Sequence, residues 1–199
     1  MMNYSIVIQA GGQSTRMGQD KGLLQFGKYK MVEYILHQVS GMGEKNFIVS
    51  NRPEEYKEFG LPVYTDIYHN IGPLGGFHTI FSFLEMEYAL VLACDMPFIN
   101  RDLINYLLSL ASDYDIIVPR LNHNKFVKPF RAVYSKRCMP AVEKAIEQNH
   151  RRVISFFDDV RVRYLEKDEI HIYDPDERSF FNVNTPEDLQ KAIQMAGLG

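Results

Sequence analysis

Ile6-Val7-Ile8-Gln9-Ala10-Gly11-Gly12-Gln13-Ser14-Thr15-Arg16-Met17-Gly18-Gln19-Asp20-Lys21 runs from a short apolar strand into a glycine-punctuated polar turn that carries two fixed cations. Gly11 and Gly12 lack Cβ atoms, so the backbone there can take positive φ and present several N–H groups to phosphate oxygens. Arg16 and Lys21 add long-range positive charge. A Walker A loop requires Ser or Thr after its lysine, and here Gly22 follows Lys21. The dinucleotide fingerprint needs three glycines at fixed offsets, which this turn does not supply. Two glycines alone would mark an ordinary turn between a strand and a helix. Joined to Arg16, Met17-Gly18 and Asp20-Lys21, they read as a cradle for a nucleoside triphosphate.

Outward from this turn, strand-like runs at Tyr4 to Ile8, Asn46 to Ser50 and Tyr88 to Ala93 are apolar at nearly every position. That pattern predicts central parallel strands covered on both faces. Between them, Met31, Ile35, Leu36 and Val39 recur at helix spacing, as do Leu74, Phe77, Ile80, Phe81 and Leu84. A helix over Asp102 to Leu110, capped by Asn100, precedes a strand at Asp115 to Pro119. The alternation predicts α/β architecture. Beyond Lys125 the pattern loosens into an extended Phe126 to Tyr134, helices near Met139 to Gln148 and Val153 to Phe157, and a strand at Val160 to Leu165. Thr185-Pro186-Glu187-Asp188 opens a last helix, with Thr185 as cap, Pro186 at the first helical position and the acids facing the positive dipole end.

The chain has 199 residues, 46% of them hydrophobic, which predicts one domain spanning residues 1–199. Neither an internal repeat nor a linker divides it. The formal net charge of −3 provides no basic field for nucleic acid, so a polyanionic ligand must be met locally. The two cysteines, Cys94 and Cys138, are too few for a disulfide framework and have no metal-ligand spacing, so buried reduced thiols are expected. The six histidines show no metal-ligand spacing either. The first apolar stretch is too short for a signal-peptide core or a membrane span, which leaves a cytoplasmic location as the expectation.

Leu90-Val91-Leu92-Ala93-Cys94-Asp95-Met96-Pro97-Phe98 sets a carboxylate at the carboxyl end of a buried strand before proline redirects the chain. α/β sheets bind ligands at that edge, and Mg²⁺ takes one or two carboxylates together with phosphate oxygens and waters. Asp95 is therefore the candidate metal ligand; alone, it would read equally as a turn aspartate. Val63-Tyr64-Thr65-Asp66 ends a second short strand in a carboxylate that can accept hydrogen bonds from a base or ribose. Gly72-Pro73-Leu74-Gly75-Gly76 then starts a helix, where the glycines permit close approach of either a ligand or another backbone. Asn51 can offer donor and acceptor groups to a nucleobase, although Asn-Arg-Pro is also good turn chemistry.

These residues together resemble the molybdenum cofactor guanylyltransferases, members of the nucleotidyltransferase superfamily. The resemblance runs through Ala10-Gly11-Gly12, Ser14, Arg16-Met17-Gly18, Asp20-Lys21-Gly22-Leu23-Leu24, Asn51-Arg52, Asp66, Gly72-Pro73-Leu74, Cys94-Asp95-Met96-Pro97, Arg151-Arg152-Val153 and residues 182–188. It implies a Rossmann-like three-layer α/β/α fold with a mostly parallel central sheet. It also implies transfer of GMP from GTP to the terminal phosphate of molybdopterin or Mo-molybdopterin, with release of pyrophosphate. By the same resemblance Gln9, Ala10, Gly11 and Gly12 line the nucleotide, Lys21 meets its phosphates, and Asn51 and Asp66 complete the pocket. Asp95 holds Mg²⁺, and Arg16 neutralises developing charge. Because both reactants are anions, such catalysis rests on alignment and charge neutralisation rather than on a protein nucleophile. Gln9 stands where the family usually has leucine, and the strand before Asn51 is shorter than usual, so Ser50 competes with Asn51 for the base-facing position.

The implied acceptor falls to the less regular half of the chain. Arg151 and Arg152 place two guanidinium groups at a helix start, where they could grip a pterin phosphate or simply face solvent. Asn182 and Asn184 share one side of an extended segment, placed to recognise a pterin, to support Asp95 or to stabilise the turn that follows. The alternatives on the same fold are transferases using CTP or another phosphorylated acceptor such as cobinamide phosphate or a sugar phosphate. An inactive nucleotide-binding adaptor is a further alternative. Transient contact with molybdoenzymes or other cofactor-synthesis proteins is the expected protein partnership, with neither nucleic acid nor membrane involved.

Overall fold

The computed structural model describes residues 3–10, 20–121 and 126–199. In chain order the elements are β1 (Tyr4–Gln9), β2 (Gln25–Phe26), β3 (Tyr29–Lys30), α1 (Met31–Gln38), β4 (Phe47–Val49), α2 (Pro53–Tyr56), β5 (Val63–Tyr64), α3 (Pro73–Phe83), β6 (Tyr88–Ala93) and α4 (Arg101–Ser109). There follow β7 (Ile116–Leu121), β8 (Phe126–Val127), β9 (Arg131–Ser135), α5 (Met139–Glu147), β10 (Val162–Glu166), α6 (Lys167–Tyr173) and α7 (Pro186–Ala196).

The main sheet has the order β10-β7-β9-β6-β1-β4-β5, with β8 added on β7. The β1–β4, β1–β6, β4–β5 and β10–β7 pairs are parallel, whereas β9 runs antiparallel between β6 and β7. This is the mostly parallel sheet that the continuous apolar strands predict. Alternate residues face opposite layers, as the strand pleat requires. Ile6, Ile8, Leu90 and Leu92 pack with Val32 and Ile35 of α1, Leu103 and Leu107 of α4 and Ile170 of α6. Val7, Val49, Ala89 and Val91 pack on the other side, with Leu74, Phe77 and Ile80 of α3 and Val142 of α5. A smaller core joins the β2–β3 hairpin to α7 through Phe26, Phe98, Val183 and Ala192.

Two helix ends form as their sequences predict. The Asn100 side chain accepts from Leu103 N at 3.0 Å to cap α4. Thr185 Oγ1 accepts from Asp188 N at 3.1 Å, and Asp188 accepts in return from Thr185 N at 2.9 Å. Elsewhere the structure corrects the sequence expectation. The extended run over Phe126 to Tyr134 divides into β8 and β9, because the chain turns at Pro129-Phe130 and Arg131 N donates back to Lys128 O at 3.1 Å. The helix expected near Val153 to Phe157 is a 3₁₀ segment, Val153–Asp159. Among the described residues no helix is long and apolar enough to cross a membrane.

Register fixes what meets at the carboxyl edge. Gln9 pairs with Ala93 on β6 and with Val49 on β4, so the three strands finish together. Ala10 N still bonds Val49 O at 2.8 Å, and Cys94 N bonds Gln9 O at 3.2 Å. The segments beginning at Ala10, Ser50 and Asp95 therefore emerge side by side from adjacent parallel strands, the location where open α/β sheets take ligands.

Candidate active site

Lys21 is placed by a turn that the rest of the fold grips. The Asp20 carboxylate caps the 3₁₀ turn Lys21–Leu23 by accepting from Gly22 N at 3.0 Å. The same oxygen accepts a 2.6 Å bond from the Tyr56 hydroxyl, on a side chain fully buried at the end of α2. Burial above all, with Cys94 and Asp20 adding to it, pushes the Tyr56 phenol far above its ordinary range, so it remains a donor at any working pH. A Cβ on Gly22 would lie 2.5 Å from the Tyr56 hydroxyl oxygen and 3.2 Å from Cys94 Cβ, which is why this position has no side chain.

From that turn the Lys21 ammonium donates to Asp95 Oδ2 at 3.0 Å and to Asn184 Oδ1 at 2.6 Å. Three distant segments thereby converge on one cation. Val183 N also donates to Asp95 O at 2.9 Å, tying the Asn182–Asn184 segment to the end of β6. Beneath this turn lies Arg131, 1% exposed, whose Nη2 donates to Met96 O at 2.9 Å. Burial lowers the Arg131 pKa to about 10 against the opposing pull of Asp174 and Asp95, which still leaves a charged guanidinium at neutral pH.

Beside the Lys21 turn opens a cleft of about 970 Å³, lined among others by Gln9, Ala10, Asn51, Asp66, Gly72 and Arg151. Asn51 and Asp66 brace each other. Asn51 Nδ2 donates to Asp66 Oδ2 at 2.8 Å, and Asp66 N donates to Asn51 Oδ1 at 3.2 Å. Burial raises the Asp66 pKa, a shift only partly offset by the Asn51 bond and by nearby His69. Among the described residues, the Oδ1 atom of Asp66 is buried without a partner, as is the Oε1 atom of Gln9. Gly72, at φ 74°, caps α3, and a Cβ there would lie 3.4 Å from the carbonyl oxygen of Arg151. Gly75 admits backbone, since its Cβ would lie 2.7 Å from Tyr68 O. The site thus offers a cation and carboxylate pair at one end and an amide-lined cleft at the other, an arrangement suited to a charged, polyfunctional ligand.

Residues 6–162 match the MobA-like NTP transferase domain. A probable molybdenum cofactor guanylyltransferase of Clostridium perfringens is 35% identical over 197 residues, covering 98% of each chain. Its counterpart in Pelotomaculum thermopropionicum is 38% identical over 98% of this chain and 95% of its own. The chain belongs to the molybdenum cofactor guanylyltransferase family. It is accordingly a nucleotidyltransferase of molybdenum cofactor biosynthesis. The crystal structure of molybdopterin-guanine dinucleotide biosynthesis protein A from Archaeoglobus fulgidus superposes with a TM-score of 0.81 at 22% identity, covering 97% of this chain and 98% of that one. At that identity the likeness speaks for the fold, which is the Rossmann-like nucleotidyltransferase arrangement.

Within this family fold, the residues singled out from the sequence fall into two groups. Lys21, Asp95 and Asn184 meet through direct bonds. Gln9, Ala10, Asn51 and Asp66 share the cleft, and Arg151 joins them there beside Gly72. Arg152 is exposed, and its carbonyl accepts from Ser155 Oγ at 2.6 Å as the 3₁₀ segment begins. Asn182 keeps a buried Oδ1 that has no partner among the described residues. Gly11, Gly12 and Arg16 lie outside the described residues. Sequence reasoning passed over Tyr56 and Arg131. Arg131 had a signal, a lone charge in the buried run of β9; Tyr56 had none, because its partner Asp20 lies 36 residues away.

Proposed function

We propose that this nucleotidyltransferase transfers GMP from GTP to the terminal phosphate of molybdopterin, with or without bound molybdenum, to form the guanine dinucleotide cofactor. An oxygen of the acceptor phosphate forms a bond to the α-phosphorus of GTP as the bond from that phosphorus to its bridging β-phosphate oxygen breaks. The electron pair leaves with pyrophosphate, so no covalent enzyme intermediate and no redox partner are required. The observation that carries this reading is the convergence of Lys21, Asp95 and Asn184 beside the cleft at the carboxyl ends of β1, β4 and β6.

The donor set fits Mg²⁺. Asp95 presents one carboxylate, and among the described residues no cluster of three or more His, Cys, Asp or Glu forms a closed cage. A single protein carboxylate leaves the remaining positions to phosphate oxygens and water, which is the coordination this ion prefers. Asp95 would hold it, and the ion supplies charge neutralisation on the phosphates when bound. Lys21 then aligns and neutralises phosphate oxygens, with Arg16 assisting, and Asn184 orients the Lys21 ammonium. Gln9, Ala10, Gly11, Gly12, Asn51 and Asp66 receive the nucleoside, while Arg151, Arg152, Asn182 and Asn184 serve the acceptor. Residues 1–199 act in this reading as one catalytic domain, working in the cytoplasm and handing product to molybdoenzymes through transient contact.

The test is pyrophosphate release by purified protein with GTP, Mg²⁺ and molybdopterin. Release that requires all three is expected. Equal turnover with CTP, or none with GTP, would overturn the assignment.

A further inference from the structure

Gln9 is an anomaly at the end of β1. The strand is apolar from Ile6 to Ile8, and the side chains that share Gln9's face, Val7 on its own strand and Val49 and Val91 on the neighbouring strands, are fully buried hydrocarbons. Gln9 itself is 8% exposed, yet it lines the cleft, and its Oε1 atom is buried without a hydrogen-bond partner among the described residues. A buried amide oxygen with nothing to accept from is strongly disfavoured in a finished protein interior. Its placement at the cleft indicates that the missing donor comes from what the cleft receives.

The helix opposite is shaped for this amide. A Cβ on Gly76 of α3 would lie 2.5 Å from Gln9 Nε2, 2.9 Å from Oε1 and 3.0 Å from Cδ. No alanine fits there unless the amide moves. Glycine within a helix is less favourable than alanine, so α3 carries a destabilising residue at the one point where the Gln9 amide needs room. The polar residue on the strand and the absent side chain on the helix form a matched pair.

We infer that the Gln9 side chain is a specificity-determining residue that reads the nucleobase, its amide oxygen accepting from the base's N–H edge. This deepens the guanylyl reading and rests on it. Guanine carries two adjacent donors, the N1–H and the exocyclic 2-amino group, whereas hypoxanthine keeps the first and lacks the second. The two bases share ring size, and their triphosphates share charge, so a difference between them isolates the 2-amino contact.

The experiment measures equilibrium binding of GTP and of inosine triphosphate to the purified protein with Mg²⁺, by calorimetry, for wild type, Gln9→Leu and Gly76→Ala. Wild type is expected to favour GTP over the inosine nucleotide by about tenfold, the scale of one buried hydrogen bond. Gln9→Leu should bring the ratio close to one. Gly76→Ala should also reduce it, because the added methyl displaces the amide. Thermal denaturation supplies the second readout: Gly76→Ala should hold or raise stability, since alanine favours the helix and only the flexible end of Gln9 has to shift. A wild-type ratio near one, or a full GTP preference retained in Gln9→Leu, overturns the inference while leaving the guanylyl assignment standing. Failure of wild type to bind GTP at all overturns both.

Discussion

The contact between Gly22 and Tyr56 makes a prediction whose sign, and not only its size, is set by the structure. Gly22→Ala introduces a Cβ 2.5 Å from the Tyr56 hydroxyl oxygen, 3.2 Å from Cys94 Cβ and 3.3 Å from Tyr56 Cε1. The first contact is impossible without movement, and the hydroxyl cannot move freely because it donates to Asp20 at 2.6 Å. Overpacking of this kind costs about 1–3 kcal/mol, and breaking a bond to a carboxylate costs about 1.5–3 kcal/mol. Asp20 is partly exposed, so water recovers some of the second term. A total of roughly 3 kcal/mol is expected for Gly22→Ala on these two terms. Tyr56→Phe alone should cost about 1.5 kcal/mol, the lower end of that hydrogen-bond range. In the Tyr56→Phe background the 2.5 Å clash is gone and only the two looser contacts remain, so the double variant should be more stable than the sum of the single losses by at least about 1 kcal/mol. Urea denaturation at constant slope gives the three free energies. Additivity within about 0.5 kcal/mol would refute the account, because it would mean that the hydroxyl does not fill the space beside Gly22. The cycle also reports on the site: if this turn sets Lys21, both single variants should raise KM for GTP.

Asp95→Asn keeps the shape of the side chain and removes its charge, so pyrophosphate release should fall by about 100-fold or more at an unchanged urea midpoint; near-normal turnover would remove Asp95 from the reacting centre. Asn184→Ala takes away one of the two acceptors that hold the Lys21 ammonium, and kcat/KM should fall by about tenfold, a result contradicted by kinetics indistinguishable from wild type. Burial raises the Asp66 pKa in the folded state despite the Asn51 bond, so Asp66 contributes most to stability below its unfolded pKa of about 3.9 and loses that contribution as pH rises through the folded value. Asp66→Asn should therefore be more stable than wild type at pH 7, with the advantage vanishing as pH falls below about 3.9 and with weaker GTP binding throughout; an advantage that grew with acid would contradict the assignment.

The parts of this molecule legible in the sequence are those in which chemistry and chain position coincide. β1, β4 and β6 announced themselves because a strand covered on both faces is apolar at nearly every position. Asn100 and Thr185 announced helix starts because a cap and the N–H it satisfies are three residues apart. Asp95 could be read because a carboxylate directly after such a strand has one place to go. What escaped depends on partners far apart in sequence. The β8–β9 division is completed by β7 accepting both as antiparallel neighbours, and of this residues 126–134 record only the turn at Pro129-Phe130. The hold of Tyr56 on Asp20 and the room that Gly76 leaves for Gln9 are pairings between elements, so neither member alone is unusual enough to reveal them. Arg151 shows the same limit: its neighbours in sequence suggest a basic helix start, whereas its neighbours in space are Gly72 and the cleft.

In the proposed reading, the register of the sheet also keeps the two tasks of the site apart. β1 sits between β4 and β6. On the β4 side lie Asn51, Asp66 and the Gln9 amide, the groups that discriminate by hydrogen bonding in the proposed reading. On the β6 side lie Lys21, Asp95 and Asn184, groups that carry or orient charge. Hydrogen-bond reading depends on placement to a few tenths of an ångström, whereas charge neutralisation falls off slowly with distance. The first set is accordingly braced by direct contacts with α3 and with one another, through Gly76 beside Gln9 and the paired Asn51–Asp66 bonds. The second is held by a turn pinned at Asp20 and by the Val183 bond to Asp95. Because β1 separates them, a substitution such as Gln9→Leu can change which base is accepted without moving the Lys21–Asp95 pair, and Asp95→Asn can stop turnover without changing base preference. A shift in the GTP to inosine triphosphate binding ratio on Asp95→Asn as large as that on Gln9→Leu would show the two halves to be one coupled unit.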